Sequence, residues 1–474
     1  MPERAAARNP TPILVVLLLA GVSFALSQTM VVPALPALSE ELGASPSATS
    51  WILTGYLLSA SVATPLAGKL GDLFGKGRVL TGVLLLFALG SIVCATAGSI
   101  EQAIAGRVIQ GVAGGVFPLS FGIIRDTFPR ERVAGGIGLL SAVFGIGGGI
   151  GLPLSGVVVD NFDLSLIFWI GLLALPAALA AHRLVPPSPT ARRTRIDWAG
   201  AALLSSGLVA VLLGVTEANQ WGWTSPGTLG LIVGGVALLV VWVLVERRVD
   251  EPLVDLRVLR TRAVAMTNLA GALVGFAMFA TFLLLPQFAQ ADESTGYGFG
   301  MSVTESGLLL VPLAGAQLLA GLAAGRIAGR IGFRMMLLVG ALLATVAFTA
   351  LAFEHAHPWQ IVIAGALFGA GLSLALGGMA NLIVEAVPQS DVGVATGINT
   401  ITRTVGGAFG SAVAVAILTA DTIGSSAVPS EHAYTLAFAI AALFALLAAG
   451  AAVLVPARRG GGGEPPAAPA PAKG

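Results

Sequence analysis

The segment Gly68-Lys69-Leu70-Gly71-Asp72-Leu73-Phe74-Gly75-Lys76-Gly77-Arg78 is a short, basic and glycine-rich connection between two apolar runs. The runs on either side, at about 50–68 and 79–98, each have the length of about 20 residues that a helix needs to cross a bilayer. Glycines let backbones approach closely, and an aspartate at a membrane boundary can meet a helix N-terminus or an arginine. The segment therefore predicts a tight turn between two membrane-spanning helices.

The composition of the whole chain agrees with this interpretation. Of its 474 residues, 56% are hydrophobic and only 10% are charged, whereas about 25% of the residues in a soluble domain are charged. These values exclude a soluble enzyme, a nucleic-acid-binding protein and a disordered protein, and they indicate a polytopic membrane protein. The single cysteine, Cys94, lies in an apolar run, so it is predicted to be a packing residue, with no disulfide framework and no thiolate metal site.

Apolar runs long enough to span a bilayer recur along the chain, and the sequence predicts fourteen of them. They lie at about 13–35, 50–68, 79–98, 103–124, 133–158, 164–183, 198–216, 227–245, 263–286, 304–325, 335–353, 359–381, 393–419 and 434–455. With this count, every lysine and arginine except Arg107 and Arg403 falls on one side of the membrane. The positive-inside rule then predicts that both termini and all of the basic loops are cytoplasmic.

The basic segments around the seventh and eighth runs divide the chain into six spans, a pair and six more. Glycines near Gly138 and Gly397 recur at a constant offset in the two groups of six, and weak internal repetition of this kind is typical of transporters built from two related bundles. The predicted fold is an all-α polytopic membrane protein of two six-helix bundles and two extra central helices. The predicted units are a cytoplasmic segment 1–12, an N-terminal bundle 13–184, a linker with the extra pair 185–262, a C-terminal bundle 263–456 and a disordered tail 457–474.

Four motifs, taken in order, resemble those of the major facilitator superfamily. The segment 68–78 is similar to its signature loop, and Arg107-Val108-Ile109-Gln110-Gly111 to its arginine motif. The stretch from Gly138 to Gly156 resembles its glycine-proline antiporter motif. The run 25–36 resembles the first-span motif of the fourteen-span drug:proton antiporter branch. The resemblance implies a multi-pass carrier of the cytoplasmic membrane whose two bundles rock about a central site.

The resemblance also implies roles for particular residues. A latch between the bundles on the cytoplasmic side is expected at Gly68, Gly71, Asp72, Gly75 and Arg78, with Arg125 and Asp126 as partners. The other interpretation of Arg125 and Asp126 is an ordinary solvated helix end. The antiporter motif places Gly138, Gly145, Gly149, Pro153 and Gly156 at an interface between the bundles. The three- or four-residue spacing of Gly138, Ala142, Gly145 and Gly149 also predicts a thin helix face, and Pro153 is expected to bend the helix.

The two arginines inside spans are the most informative single residues. Each costs about 2.5–3.5 kcal/mol at the bilayer centre on insertion scales, so each is expected to face the bundle interior. For Arg107, with Gln110 and Gly111 in the same motif, the resemblance implies proton coupling or substrate-linked switching. The alternative is a structural donor to neighbouring carbonyl groups. Arg403 is a candidate for the same coupling or switching role, and the alternative is a structural contact that holds two helices together.

Candidate pocket residues follow from their predicted depth. Uncharged polar and aromatic side chains suit bulky amphiphiles, and the candidates are Ser27, Gln28, Tyr56, Phe276, Phe279, Phe282, Gln317 and Asn399. Packing or contact with lipid is the alternative for each of them. Ser27 stands where the drug-antiporter branch usually carries an aspartate. The carboxylates of Glu217, Glu305, Glu385 and Asp126 all fall near span ends. Proton coupling would then use a boundary carboxylate such as Glu305 or Asp126, or be missing, and the buried arginines favour neutral or anionic substrates.

The sequence therefore predicts a transporter and not an enzyme, since it contains neither a His-Glu-x-x-His motif nor a phosphate loop. The predicted function is export of drug-like or antibiotic amphiphiles by alternating access with proton antiport. The alternative is a carrier for a narrow set of metabolites, without proton coupling. The expected partners are a small amphiphile, protons and the lipid bilayer, with no nucleic acid, no metal and no cofactor, and the expected functional unit is a monomer.

Overall fold

The computed structural model of the chain describes residues 10–187, 197–249, 256–388, 391–423 and 428–456. In these ranges the backbone is helical apart from its connections and one isolated antiparallel bridge between Thr422 and Pro429. The predicted tail 457–474 and most of the predicted segment 1–12 lie outside the described residues, as do parts of the predicted linker 185–262. The prediction of an all-helical fold is confirmed.

The helices alternate with short connections along the whole of the described chain. Their bounds are α1 Pro10–Thr29, α2 Val31–Glu41, α3 Pro46–Phe74, α4 Lys76–Ala95, α5 Ile100–Gln110, α6 Val116–Thr127, α7 Arg130–Ile146, α8 Leu152–Asn161, α9 Leu166–Trp169, α10 Ala174–Leu184, α11 Trp198–Trp221, α12 Pro226–Glu246, α13 Leu256–Leu259, α14 Arg262–Gln290, α15 Val303–Leu308, α16 Val311–Phe353, α17 Pro358–Ala386, α18 Val392–Ala420 and α19 Glu431–Leu454. Short 3₁₀ segments at Gly111–Gly115 and Ile170–Leu173 join α5 to α6 and α9 to α10, a third 3₁₀ turn lies at Glu293–Thr295, and a π-helical segment at Gly147–Gly151 joins α7 to α8.

Among the described residues, twelve helical stretches are long and apolar enough to cross a membrane. The predicted count of fourteen is therefore not confirmed, and the two counts differ at two places. The predicted spans 304–325 and 335–353 fall in one helical stretch, Thr304–Phe353. The predicted span 133–158 is not among the twelve, and in the structure it consists of α7, with 17 residues, the π-helical segment and α8, with 10 residues.

The helical stretch that contains α16 changes direction at Gly332. This residue has φ 78° and ψ 164°, a non-helical conformation inside α16. The part before Gly332 runs parallel to α17 and the part after it runs antiparallel to α17. The close contacts that define these directions are Leu313–Gly369, Gly321–Ser373, Gly340–Gly371 and Phe333–Gly378. The two parts of α16 thus point in opposite directions.

Two large hydrophobic cores hold the helices together. One lies within helices α1–α10, with its buried side chains mainly on α1, α3, α4, α6, α7 and α10, and the other lies within helices α14–α19, with its buried side chains mainly on α14 and α16–α19. We call these groups the first half and the second half. A few side chains cross over, with Leu152 packing into the second core and Ala380 and Ile383 into the first. The ends of α3, α6, α10 and α17 lie together, since Lys76 pairs with Asp126, Gly77 contacts Val185 and Arg125 bonds Val387, and we call this the basic end.

The predicted extra pair corresponds to α11 and α12. Helix α11 packs against α3 and α18, where Leu204 and Leu208 share a small core with Val394 and Ile401. It therefore touches both halves along one side of the molecule. Helix α12 packs on α11 and leaves much of its surface exposed, including Val233. The pair is central in the order of the chain but peripheral in the structure, so helices at the centre of the fold are not supported.

The conformation of Gly332 leads to a stability prediction. Only glycine adopts such a backbone conformation readily, and other residues lose about 1–3 kcal/mol there. We expect Gly332→Ala to lower the free energy of unfolding by about that amount in thermal unfolding of the detergent-purified protein. The matched control is Gly329→Ala, which lies in regular helix with open space around an added Cβ and is expected to stabilise by about 0.5–1 kcal/mol. Equal effects of the two substitutions would contradict the prediction.

Candidate functional site

A buried ion cluster forms at the basic end, where the signature segment connects α3 to α4. The ammonium group of Lys76 lies 2.9 Å from Oδ2 of Asp126 and 3.3 Å from Oδ1 of Asp72. All three side chains are at most 5% exposed. A buried charge is stable only when it is paired, so Lys76 holds together the ends of α3, α4 and α6.

Glycines make room for this cluster. Gly75, between α3 and α4, has φ +95°, a conformation that favours glycine, and it sets the direction in which α4 begins. An added Cβ at Gly122 would lie 2.6 Å from Cδ and Cε of Lys76, so the aliphatic part of that side chain rests on the α6 backbone. An added Cβ at Gly71 would clash with Leu119. The glycines of the motif therefore serve close packing.

The same segment touches the second half at the start of α18. A Cβ added to Gly68 would lie 2.6 Å from the carbonyl carbon and oxygen of Gly393, so the two backbones are in direct contact. An added Cβ at Gly393 would lie 3.3 Å from Oδ2 of Asp72. The carboxylate is thus beside the N-terminus of α18, where a negative charge is favoured. Near the end of α6, Arg125 donates a hydrogen bond of 3.1 Å to the carbonyl oxygen of Val387, which precedes α18.

The structure therefore brings together most of the predicted latch residues, but the cation that pairs with the two carboxylates is not one of those predicted. Lys76, which the sequence analysis did not select, occupies the place between the two carboxylates. Arg78 is exposed. The sequence held one signal for Lys76, since it is the first residue after Gly75 and begins a new helix.

Arg107 forms a second buried cluster, inside the first half. Its side chain is fully buried and donates hydrogen bonds to the carbonyl oxygens of Ile52 and Ser27, each at 3.1 Å. It also donates to Oε1 of Gln110 at 2.8 Å, and its guanidinium carbon lies 4.1 Å from the centre of the Tyr56 ring. Cation–π attraction and three acceptors stabilise this charge in a place where no water reaches it.

The network continues into α4. The amide nitrogen of Gln110 donates to Oγ of Ser91 at 2.7 Å, and Ser91 donates to the carbonyl oxygen of Phe87 at 2.9 Å. Gly111, the last residue of the motif, packs against the α3 backbone at Tyr56. In the part of the chain that the structure describes, Nη2 of Arg107 donates no hydrogen bond, and the hydroxyl groups of Tyr56 and Ser27 neither donate nor accept one. Four helices of the first half thus meet at Arg107.

The second predicted arginine lies on α18 in the second half. Arg403 is 7% exposed, and its backbone and Cγ pack against Gly275 of α14. One turn earlier, the side-chain amide of Asn399 donates to Oδ1 of Asn268 at 3.1 Å. Asn268 is a contact that the sequence analysis missed. The two arginines lie on helices of different halves.

The predicted antiporter motif lies along the seam between the halves. Gly138 on α7 packs against Ala324 of α16, and Gly156 on α8 packs against Thr304 of α15. Between them, Pro153 contacts Gly307, and Gly145 and Gly149 lie in α7 and the π-helical segment. In that segment the carbonyl oxygen of Gly147 accepts a hydrogen bond of 2.6 Å from Thr29. The small residues allow the two halves to meet at backbone distance.

The predicted pocket residues do not form one group. Ser27 and Tyr56 belong to the Arg107 cluster, while Gln28 is only partly buried on α1. Phe276 is 4% exposed and stacks on Phe444 at 3.7 Å between ring centres, so it is packed inside the protein and does not face lipid. The others are placed separately: Phe279 packs on Gly407, Phe282 borders the second core, Gln317 is fully buried on α16, and Asn399 bonds Asn268.

These features define a helical membrane transporter with two halves that meet through a charged, glycine-rich contact. The sequence profile of the Major Facilitator Superfamily matches residues 17–200 and 267–473. The chain belongs to the major facilitator superfamily, whose members are carriers and not enzymes. The predicted membership is confirmed, and the fourteen-span branch stays a prediction. The profile leaves out 201–266, which contains most of α11 and all of α12.

Characterised relatives and a solved structure agree with this assignment. The tetracenomycin C resistance and export protein of Streptomyces glaucescens is 29% identical over 430 residues, covering 88% of this chain and 77% of that protein. The multidrug resistance protein Stp of Mycobacterium tuberculosis is 30% identical, covering 82% and 72%. The human organic anion transporter MFSD10 (TETRAN) superposes with a TM-score of 0.67 at 18% identity, covering 94% of this chain and 99% of that one. That likeness concerns the fold alone.

The ion cluster leads to a prediction that separates Lys76 from Arg78. Removing one partner of a buried ion pair costs about 3–5 kcal/mol, because the remaining charge is buried alone. We expect Lys76→Met to lower the free energy of unfolding by that amount, measured by thermal unfolding in detergent. Arg78→Met, at an exposed site, is expected to change it by less than about 0.5 kcal/mol. A larger effect at Arg78 would show that the pairing is wrong.

Proposed function

We propose that this chain is a secondary active transporter that exports drug-like or antibiotic amphiphiles from the cytoplasm by alternating access. The observation that carries the proposal is the contact between the halves at the basic end. There the Gly68 and Gly393 backbones touch, and Arg125 bonds the carbonyl of Val387. These contacts close that end of the seam and have to separate before a substrate enters from that side.

The relatives support the substrate class. Their names describe tetracenomycin C export in one case and multidrug resistance in the other, and both align with more than four fifths of this chain. We carry these activities over to the present chain as a proposal for its own function. A cytoplasmic-membrane location with both termini in the cytoplasm follows from the positive-inside rule, since the basic connections share one end.

We further propose that the chain crosses the membrane fourteen times. The reversal at Gly332 supports two crossings within Thr304–Phe353, because 50 helical residues would extend about 75 Å, far beyond the roughly 30 Å hydrocarbon core. The stretch from α7 to α8 runs beside α15 and α16 in the opposite direction along its whole length, which supports another crossing. The proposed units are 13–184, 185–262 and 263–456, acting as a monomer.

For proton antiport, Asp126 is the better placed of the two boundary carboxylates. Glu305 is exposed and caps α15, where its carboxylate accepts hydrogen bonds from Ser302. Asp126 is 4% exposed and pairs with Lys76 near the contact between the halves. A proton that neutralises Asp126 would weaken this pair, so its charge is linked to the contact that has to open. We assign proton coupling to Asp126 and substrate-linked switching to Arg107.

A carrier of a narrow set of metabolites is the second candidate. Arg107 and Arg403 are both buried, and the predicted spans hold no carboxylate at their centres. This charge distribution favours neutral or anionic molecules over dicationic drugs.

Export is expected to be visible in whole cells. In an efflux-deficient host, this protein should lower the accumulation of a fluorescent neutral amphiphile, and a protonophore should abolish the effect. Arg107→Ala should reduce transport at least about tenfold, because the network that joins four helices is lost. An effect of this size lies within the usual range of coupling free energies between two sites of a protein. Arg183→Ala, an exposed arginine at the end of α10, serves as the control at matched expression. Unchanged accumulation with folded protein would favour the narrow-substrate carrier.

Proton coupling is tested with purified protein in liposomes. We expect Asp126→Asn to lose about tenfold or more of the uptake driven by a pH gradient, while transport down a substrate gradient continues. Glu305→Gln, at an exposed capping position, should keep both activities. If Asp126→Asn loses downhill transport equally, the residue supports the contact and not the coupling. If it keeps gradient-driven uptake, the assignment of protons to Asp126 is wrong.

A further inference from the structure

A crevice of about 460 Å³ lies at the basic end of the seam, apart from the clusters described above. It is formed by the start of α1, the first turns of α7 with the connection before them, and the part of α16 that precedes Gly332. Helices α1 and α7 belong to the first half and α16 to the second, so both halves contribute walls. Neither the latch nor the predicted pocket residues line it.

Glycine explains why space remains there. Gly135 and Gly325 line the crevice, and a Cβ added to Gly325 would lie 3.1 Å from the Cα of Gly135. The backbones of the two halves therefore touch at this level, and no side chain of these residues fills the volume beside them. The crevice is a direct result of the glycine contact between α7 and α16.

The lining combines two kinds of surface. Arg132 comes from the first half and Arg326 from the second, both are exposed, and Glu131 is the one carboxylate among the lining residues. With two cations and one anion, the lining is positive. The remaining surface includes Leu139 and Leu322, and the latter is 58% exposed. A lining that combines positive charge with apolar surface is complementary to an anionic amphiphile.

We propose that this crevice binds an anionic phospholipid of the surrounding leaflet. The guanidinium groups of Arg132 and Arg326 would bind the phosphate, and an acyl chain would follow Leu139 and Leu322. Basic pockets between transmembrane helices at the cytoplasmic side are sites for anionic headgroups, and arginine binds phosphate through paired hydrogen bonds. The apolar wall favours a lipid over a free anion, and the positive lining disfavours cationic amphiphiles. The bound lipid bridges the two halves.

The test measures lipid binding and needs no transport substrate. Full-length protein purified in detergent is titrated with phosphatidylglycerol or with phosphatidylcholine of the same acyl chains, and bound lipid is counted by native mass spectrometry. We expect a site that prefers phosphatidylglycerol. The double variant Arg132→Gln, Arg326→Gln should weaken its binding about 30-fold, and each single variant about fivefold, at roughly 1 kcal/mol per arginine.

Arg330→Gln is the matched control, because this exposed arginine lies one turn further along α16 and does not line the crevice. It should leave phosphatidylglycerol binding unchanged. Equal binding of the two lipids, or an unaltered affinity in the single and double variants, would overturn the proposal. Displacement of the lipid by inorganic phosphate at equal concentration would also overturn it, since the site would then be one for free anions. If the double variant fails to fold, the two single variants at exposed positions decide the question.

Discussion

The burial of Lys76 between two carboxylates is the constraint on which the basic end of the molecule depends. A lysine and two aspartates that are almost inaccessible to water are stable only while they remain paired. Their pairing requires the glycine backbone at Gly122 and the turn at Gly75, since any side chain at the first would occupy the space of the lysine stem. The cluster in turn holds the Gly68 backbone against Gly393. A local electrostatic requirement thus determines how the two halves meet.

The two buried cations of the first half are stabilised by different means. Lys76 is paired with two carboxyl groups at the edge of the half, beside the start of α18. Arg107 is surrounded by neutral acceptors and one aromatic ring, all within the first half. In the alternating access that we propose, relative motion of the halves would change the surroundings of the first cluster and would leave the internal partners of the second together. This difference explains why we place the opening contact at Lys76 and propose that Arg107 acts within the first half, in substrate-linked switching.

Much of this arrangement was predictable from the sequence, for identifiable reasons. The Gly68–Arg78 motif is local, so it predicted the connection between α3 and α4, and its resemblance to the signature loop of the superfamily implied a latch near Asp72. Burying an arginine is costly, so Arg107 was expected to find partners inside the protein. The partner of the carboxylates was missed because the direction of a side chain depends on where its helix begins. With α4 starting at Lys76 after the positive φ of Gly75, Lys76 points inward and Arg78 outward.

By itself, the sequence determined the helical class, the membership of the superfamily and the side on which the charges collect, because these depend on hydrophobicity, spacing and local motifs. Only the tertiary structure decided which residues share a cluster. It separated the proposed pocket residues, placed the extra pair α11–α12 at the periphery, and brought Gly135 to Gly325 and Gly68 to Gly393. Contacts between residues nearly 200 or more positions apart depend on how helices pack, and glycine spacing alone does not specify which backbone each glycine will meet.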